Sequence, residues 1–464
     1  MPAAPLPPSD GALVRTLGVR ALAASAVNLI VGASIFVLPA VVAAELGAAA
    51  ILAYAVCAAA MGLILLCFAE AGSRVSITGG PYAYVEVAFG PFAGFLIGVL
   101  FWFGIDMLGS AAVAVVLTGS LAELVPAAGG AAPRAVLLVV LYAALTLVNI
   151  RGVRAGARLV EVVTAAKLAP LLLLVVAGLV ATQPANLAWS HRPTLEAMGR
   201  AALVLVFAFT GAEGALTPSG EVKDPARTVP RALFLALGFV TVLYAGVQLA
   251  AQGVLGPELV QNPTAPLAAV AERALGGGGR LLVLIGTIVS TFGYLCGDAL
   301  TSPRLLFAFA RDGFLPARLG AVHPRFRTPH LAIATHAALV CAFALTGTFR
   351  ALAILAAVSA LLVYLASCLA TLELRRRDVG SAGRPFRLPG GPAIPVAACL
   401  VVLWLLSHAS RTEFFGVGAM LGVATALYLL ARARRRRETG LRTQDSGLGT
   451  QERPPRTARR GGTG

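Results

Sequence analysis

The chain has 464 residues, of which 58% are hydrophobic and 12% charged, with a formal net charge of +16 and a mean hydropathy of +0.84. About a quarter of the residues in a soluble domain are charged, so this composition excludes a soluble globular protein and points to a protein that crosses the membrane many times, all-α by the long apolar segments described next. The basic excess does not point to nucleic acid, because the arginines concentrated at the C-terminal end have no aromatic residues interleaved among them.

In chain order, residues 1–16 are expected to be a disordered cytoplasmic lead, with four prolines among the first ten residues. Twelve apolar segments follow, at 17–44, 47–70, 92–120, 134–150, 157–181, 198–221, 231–255, 281–309, 330–347, 350–372, 394–409 and 413–431. Each is read as a transmembrane helix. The first is too long for a signal-peptide core and no small-residue cleavage site ends it, so it is expected to be retained. Alternating the connections across the bilayer puts 29 of the 37 Lys and Arg on one side, together with both termini. By the positive-inside rule that side is cytoplasmic, and the bilayer is a cell membrane.

The first segment carries Val31-Gly32-Ala33-Ser34-Ile35-Phe36-Val37-Leu38-Pro39 in its middle. A proline there would break a continuous helix, but in the first turn of a new one its missing N–H is harmless. The sixth segment repeats the pattern in Phe207-Ala208-Phe209-Thr210-Gly211-Ala212-Glu213-Gly214, and Pro218 follows Gly211 by the same interval that separates Pro39 from Gly32. Matched Gly/Pro interruptions in two halves of a membrane protein point to a midplane substrate site built from half-helices. A pair of kinked packing helices is the plainer alternative.

Between the second and third segments, Gly79 to Gly90 holds two glycines, a proline and the aromatics Tyr82, Tyr84 and Phe89. This predicts a short interfacial helix that either seals a cytoplasmic gate or anchors the protein through its aromatic residues. Lys167 lies about 15 Å into the fifth segment, too deep to reach its cytoplasmic end easily, and must pair or lose its proton. Glu213 sits at the second interruption. Asp298, in the eighth segment, faces either an inward path or Arg304, and Asp106 reads as a polar packing contact. Glu221, Lys223, Asp224 and Arg227 form a mixed-sign cytoplasmic cluster, either a gate brace or a solvated loop. The six cysteines all lie in apolar segments without paired spacing, so neither disulfides nor a metal site is expected. After the twelfth segment, residues 432–464 hold ten arginines in a Gly/Pro/Thr-rich setting and are expected to be disordered, in contact with anionic lipid.

Four stretches together resemble the amino acid–polyamine–organocation superfamily of permeases. Gly32-Ala33-Ser34-Ile35-Phe36 is similar to its G-[AST]-G-I-F break, with Ser34 where glycine is commonest. Gly79 to Gly90 resembles its GGxYxYxxxxFG loop, Gly220 to Pro230 its E(E)xKxPxRxxP signature, and Ala310 to Pro316 its ARDGxLP stretch. The resemblance implies a LeuT-type fold: a ten-helix core over 17–375 made of two inverted five-helix repeats with helices 1 and 6 broken, and two peripheral helices over 376–431. It implies a secondary transporter of amino acids, by proton symport or by exchange, with no cofactor.

On that resemblance, Ile30, Gly32, Ala33, Ser34, Ile35, Phe207, Ala208, Thr210 and Gly211 line the substrate site. N–H groups around Ala33, Ser34 and Ile35 would take the carboxylate, and carbonyls near Leu29, Ile30, Phe207, Ala208 and Thr210 the ammonium. Phe207 would be the outer lid, with a core phenylalanine as the alternative. Lys167 would stand in for a sodium ion between the first and eighth spans, or remain a charged lysine bonded to carbonyls of the broken first span. Glu213 would sense protons or brace the half-helices, and Asp298 would join the proton path. Neutral or broad-range amino acids are the expected cargo, with cationic amino acids or polyamines second. A sensor that binds without transporting is the competing class, but the short tail offers no output module. Neither a Walker-type loop nor a catalytic constellation is visible. The oligomeric state is not readable from the sequence.

Overall fold

The computed structural model describes residues 17–75, 80–151, 157–189, 192–216, 222–380, 385–388 and 390–447. The N-terminal lead, Gly79, Pro218, Gly220, Glu221 and the last part of the tail therefore lie outside the described residues. Within them the protein is helical, apart from one isolated parallel bridge between Leu17 and Val222. Among the described residues, eight stretches are long and apolar enough to cross a membrane, and four shorter apolar helices accompany them: Val19–Ile30, Lys167–Val180, His330–Thr346 and Ala393–Leu406.

The first apolar run is two helices, α1 (Val19–Ile30) and α2 (Leu38–Leu46), separated by a bend at 31–33 and a 3-10 turn at Ser34–Phe36. Pro39 falls in the first turn of α2, where the missing donor does no harm. α3 (Ala50–Arg74) follows a reversal at Gly47, whose φ of 54° favours glycine. The predicted interfacial helix is α4 (Pro81–Phe89), and α5 (Pro91–Val99) runs through a π-helical stretch, Leu100–Met107, into α6 (Leu108–Leu124). The π turn lies where Gly104 meets a later helix, so that an added Cβ would lie 2.3 Å from the Ser359 side chain.

α7 (Ala131–Arg151), α8 (Ala157–Val180) and α9 (Leu195–Phe209) come next. The second interruption follows α9, with turn geometry over 210–213 and a 3-10 turn at Gly214–Leu216. The remaining helices are α10 (Pro225–Leu255), α11 (Pro266–Leu275), α12 (Gly277–Thr301), α13 (Pro303–Arg311), α14 (His330–Thr346), α15 (Phe349–Arg376), α16 (Ala393–Leu406) and α17 (Arg411–Gly447).

α10 packs on α3, α1 and α8, while α12 packs on α6, α11 and α8 and α15 on α6, α16 and α9. These contacts wrap both interruptions in a continuous apolar core that includes Ile30, Ala33, Ile35, Phe207 and Ala208. The outer surface is aliphatic: Val136, Val139, Val140, Leu147 and Val148 of α7 are exposed, as are Phe415, Val423, Leu429 and Leu430 of α17. Such faces suit hydrocarbon, where all backbone polar groups are satisfied inside the helices. Beyond residue 432, where the sequence reading expected disorder, α17 continues as helix to Gly447. The run Ala431-Arg-Ala-Arg that extends it consists of strong helix formers.

Candidate functional site

The two interruptions touch. Gly211 has φ +113°, and a Cβ on it would lie 2.6 Å from the Leu29 carbonyl oxygen and 3.1 Å from the Ile30 nitrogen. Only glycine permits both the backbone angle and the approach.

A helix end leaves carbonyls without intrahelical partners, and α1 distributes its own in four ways. Val27 O accepts from the Val31 N–H at 2.9 Å, and Asn28 O from Lys167 Nζ at 2.6 Å. Ile30 O takes two donors, the Gly32 N–H at 2.8 Å and the Tyr244 hydroxyl at 3.0 Å. Leu29 O receives none among the described residues. On the other side of the bend, the N–H groups of Phe36 and Val37 turn back to Ala33 O and Ser34 O, whereas those of Ala33, Ser34 and Ile35 have no acceptor among the described residues. All three residues are buried. Three successive buried donors with nothing to bond make an anion-binding concavity.

At the second interruption Thr210 folds its hydroxyl onto Phe207 O at 2.9 Å, and Tyr244 also donates to Ala208 O at 3.2 Å. One fully buried tyrosine on α10 thus pins both broken strands of backbone. A carbonyl oxygen has two lone pairs and a hydroxyl one proton, so Ile30 O, which takes the Gly32 N–H and a Tyr244 proton shared with Ala208 O, has less room for an ammonium than Leu29 O has. The carbonyls of Leu29, Ala208 and Thr210 keep capacity. Glu213 reaches back to the Gly211 N–H at 3.0 Å and accepts the Tyr364 hydroxyl from α15 at 2.9 Å. Glu213 thereby braces the second interruption against α15.

Phe207 is 9% exposed, with its ring between Gly109 of α6 and the Phe349 ring of α15, whose centroid is 6.1 Å away. Beside Phe349, Glu45 at the end of α2 joins Arg200 of α9 at 3.1 Å and Arg350 of α15 at 2.6 Å. At the opposite end of α15, about 40 Å along a helix of this length, the fully buried Glu70 binds Arg74 at 3.0 Å, Arg375, and the Leu388 N–H at 3.0 Å.

Tyr84 is not an interfacial aromatic: it is fully buried, and a Cβ on Gly72 of α3 would lie 2.8 Å from its hydroxyl. Tyr82 is half-buried and lies against Gly98. Phe68 packs against Tyr84 and Tyr364, so aromatic rings lead from α4 to the Glu213 brace. Asp298 does not face Arg304, whose guanidinium turns to Leu300 O; it meets Ser302 at 2.6 Å and His336 at 2.9 Å. Asp106 belongs to the same group, 2.9 Å from the Ser302 hydroxyl. In the expected cytoplasmic cluster, Arg227 and Asp224 are 3.8 Å apart and well exposed, while Lys223 donates its backbone N–H to Leu17 O. A pair of that kind contributes little.

Sequence reasoning missed Tyr244, Tyr364, Glu45 and Glu70. Each is a single polar residue in an apolar run, which was the only signal available to find it.

The profile of the amino acid permease family matches residues 17–424. The chain belongs to the amino acid permease family. This permease is 34% identical over 443 residues to an uncharacterized transporter of Mycobacterium tuberculosis, covering 94% of this chain and 96% of the relative. It is 30% identical to the serine/threonine exchanger SteT of Bacillus subtilis, over 89% of this chain and 96% of the relative. A methylthioribose transporter of the same bacterium is 28% identical, over 90% and 93%. The permease is thus a membrane transport protein of the amino acid–polyamine–organocation superfamily, and not an enzyme.

Proposed function

We propose that the permease is a secondary active amino acid transporter working by alternating access, and that the two interruptions hold its cargo. The carrying observation is the pair of backbone sets unmatched among the described residues at their contact: N–H groups on Ala33, Ser34 and Ile35, and carbonyls with spare capacity on Leu29, Ala208 and Thr210. A zwitterion needs donors for its carboxylate and acceptors for its ammonium, and this arrangement offers both without placing a formal charge in the bilayer. In this reading Phe207 closes the outer side against Phe349, and the Glu45 and Glu70 ion clusters hold the two ends shut. Twelve spans in a LeuT-type 5+5 arrangement, with both termini cytoplasmic in the cell membrane, give the breaks their midplane position.

Proton symport is the favoured coupling, because Lys167 already occupies the carbonyl of Asn28 with a cation of its own and leaves no role for sodium there. Neutral or broad-range amino acids are the favoured cargo. Exchange is the second reading, on the strength of the likeness to a serine/threonine exchanger. The likeness to a methylthioribose transporter puts a polar non-amino-acid cargo in the test panel.

The experiment is uptake by the purified chain in proteoliposomes, using radiolabelled L-serine, L-threonine, L-leucine, L-arginine, putrescine and methylthioribose. Saturable accumulation under an inward proton gradient supports symport, and movement only into preloaded vesicles supports exchange. Saturable binding with neither would make the protein a sensor and sink the proposal.

A further inference from the structure

Away from the two interruptions, α5–α6, α12 and α14 bring a second polar group together. Asp106 comes from the π turn, Asp298 from α12, Ser302 from the junction of α12 and α13, His336 from α14, and Trp102 again from the π turn. The contacts run in one line: Asp106 Oδ2 to Ser302 Oγ at 2.9 Å, Ser302 Oγ to Asp298 Oδ1 at 2.6 Å, Asp298 Oδ2 to His336 Nε2 at 2.9 Å, and His336 Nδ1 to Trp102 Nε1 at 3.3 Å. The Asp298 and His336 side chains are 7% and 2% exposed.

The direction of this line follows from its last member. An indole nitrogen can only donate, so His336 Nδ1 accepts, Nε2 carries the ring proton, and Asp298 Oδ2 receives it. Asp298 therefore holds the anionic end. Ser302 has one hydroxyl proton but touches a carboxylate on each side. If it donates to Asp298, its contact with Asp106 is complete only when Asp106 itself carries a proton and donates to Oγ. With both carboxylates ionised, one oxygen would face a hydroxyl lone pair at hydrogen-bond distance, and two negative charges would share a low-dielectric interior.

Among the described residues, no lysine or arginine pairs with either aspartate. Among the described residues, Glu213 at the second interruption acts on Asp106, and Tyr142 of α7 and Tyr294 of α12 lie within electrostatic reach of Asp298; none of these brings a positive charge. Arg304 of α13 is turned away to Leu300 O.

We infer that Asp106, Ser302 and Asp298, oriented by His336 and Trp102, form a proton-binding site that holds one shared proton apart from the substrate groups. A small cavity lined by Tyr142, Thr146, Asp298, Ile333 and His336 abuts the chain. The site also stands where movement can reach it. Ser302 is the residue that joins α12 to α13, just before Pro303, and its N–H closes on Asp298 O at 2.9 Å. A change in the angle between α12 and α13 separates Ser302 from Asp106 and leaves the proton without its acceptor. A π turn inside a helix, as at 100–107, is a feature frequent at functional sites.

The proton's effect on uptake rests on the symport reading above, whereas its presence does not. Infrared difference spectroscopy of the full chain in lipid, at about pH 7, reads it directly. The wild type is expected to show the C=O stretch of a protonated carboxylic acid that shifts in heavy water, and Asp106→Asn is expected to lose it. Asp298→Asn, in which the remaining carboxylate has the Ser302 hydroxyl to itself, is expected to lose the same band, so either variant decides the matter if the other fails to fold. A band absent from the wild type, or unchanged in a folded variant, overturns the proposal.

Uptake of radiolabelled L-serine, or of whichever amino acid the wild type moves fastest, is measured in parallel. Its rise with external acidification is expected to flatten to under about twofold across roughly pH 5 to 8 in Asp106→Asn. If the band behaves as expected but the wild type shows no dependence on the proton gradient, the shared proton stands and the symport reading fails.

Discussion

Gly211→Ala is the sharpest perturbation of the contact between the interruptions. The new methyl would sit 2.6 Å from Leu29 O, a backbone atom that no rotamer change can move. An ordinary carbon–oxygen contact is about 3.3 Å or more, so α1 and the second interruption must separate by about 0.7 Å. The φ of +113° adds strain of about 1–3 kcal/mol for a residue with a side chain, and forced overpacking adds a similar amount. If the closed arrangement bears about 2–4 kcal/mol of this, transport falls by roughly 30- to 1,000-fold. Gly214→Ala is the control, because its methyl would meet only the tip of the Leu29 side chain at 3.3 Å. The assay is counterflow in proteoliposomes at matched protein content, with thermal melting to confirm folding. Gly211→Ala transporting within about threefold of the wild type would show that the two breaks need not meet.

Tyr244→Phe removes the donor shared by Ile30 O and Ala208 O. Burying an acceptor without its partner costs about 1–3 kcal/mol, so the melting temperature falls and the substrate affinity weakens by at least about fivefold, checked by melting and by binding titration. The two end clusters should respond unequally. Glu45→Gln breaks pairs with arginines that are 42% and 51% exposed, worth at most about 1 kcal/mol each, and leaves the protein folded with altered uptake. Glu70→Gln leaves Arg74, only 1% exposed, with just the well-exposed Asp378 at 3.8 Å to offset its charge, a loss of up to about 3–5 kcal/mol, and should sharply reduce stable expression on size-exclusion chromatography. Lys167→Ala removes the cation on Asn28 O and is expected to abolish accumulation against a gradient, while wild-type uptake rises with external acidity and ignores sodium. Sodium-dependent wild-type uptake contradicts that role.

What was legible in the sequence was local. Gly32, Pro39 and Gly211 announce their bends because a glycine followed seven residues later by a proline recurs in two apolar runs, whereas lone helical glycines such as Gly72 and Gly109 serve packing; the structure breaks the helices at those places. The loop glycines and Pro81 likewise announced α4. Partners distant in the chain were not legible. Tyr244 meets Ile30 across 214 positions, and Ser302 meets Asp106 across 196. Nothing in the local pattern of either residue distinguishes a bridging hydroxyl from an ordinary core side chain. Asp106 read as a packing contact because the π turn that aims it has no composition signal; it accompanies the approach of Gly104 to Ser359, on a helix more than 250 residues away. Tyr84 was misplaced for a related reason. Its aromatic character fits a membrane interface and a core equally, and only the glycine at 72 opposite it decides for the core.

The most direct measurement is a cryo-electron microscopy structure of the full chain in lipid nanodiscs, saturated with the amino acid that exchanges fastest. The account predicts carboxylate density against the N–H groups of Ala33, Ser34 and Ile35, and the ammonium against the carbonyls of Leu29, Ala208 and Thr210. Cargo bound away from both interruptions, or continuous helix through 32–35 and 210–213, would contradict it.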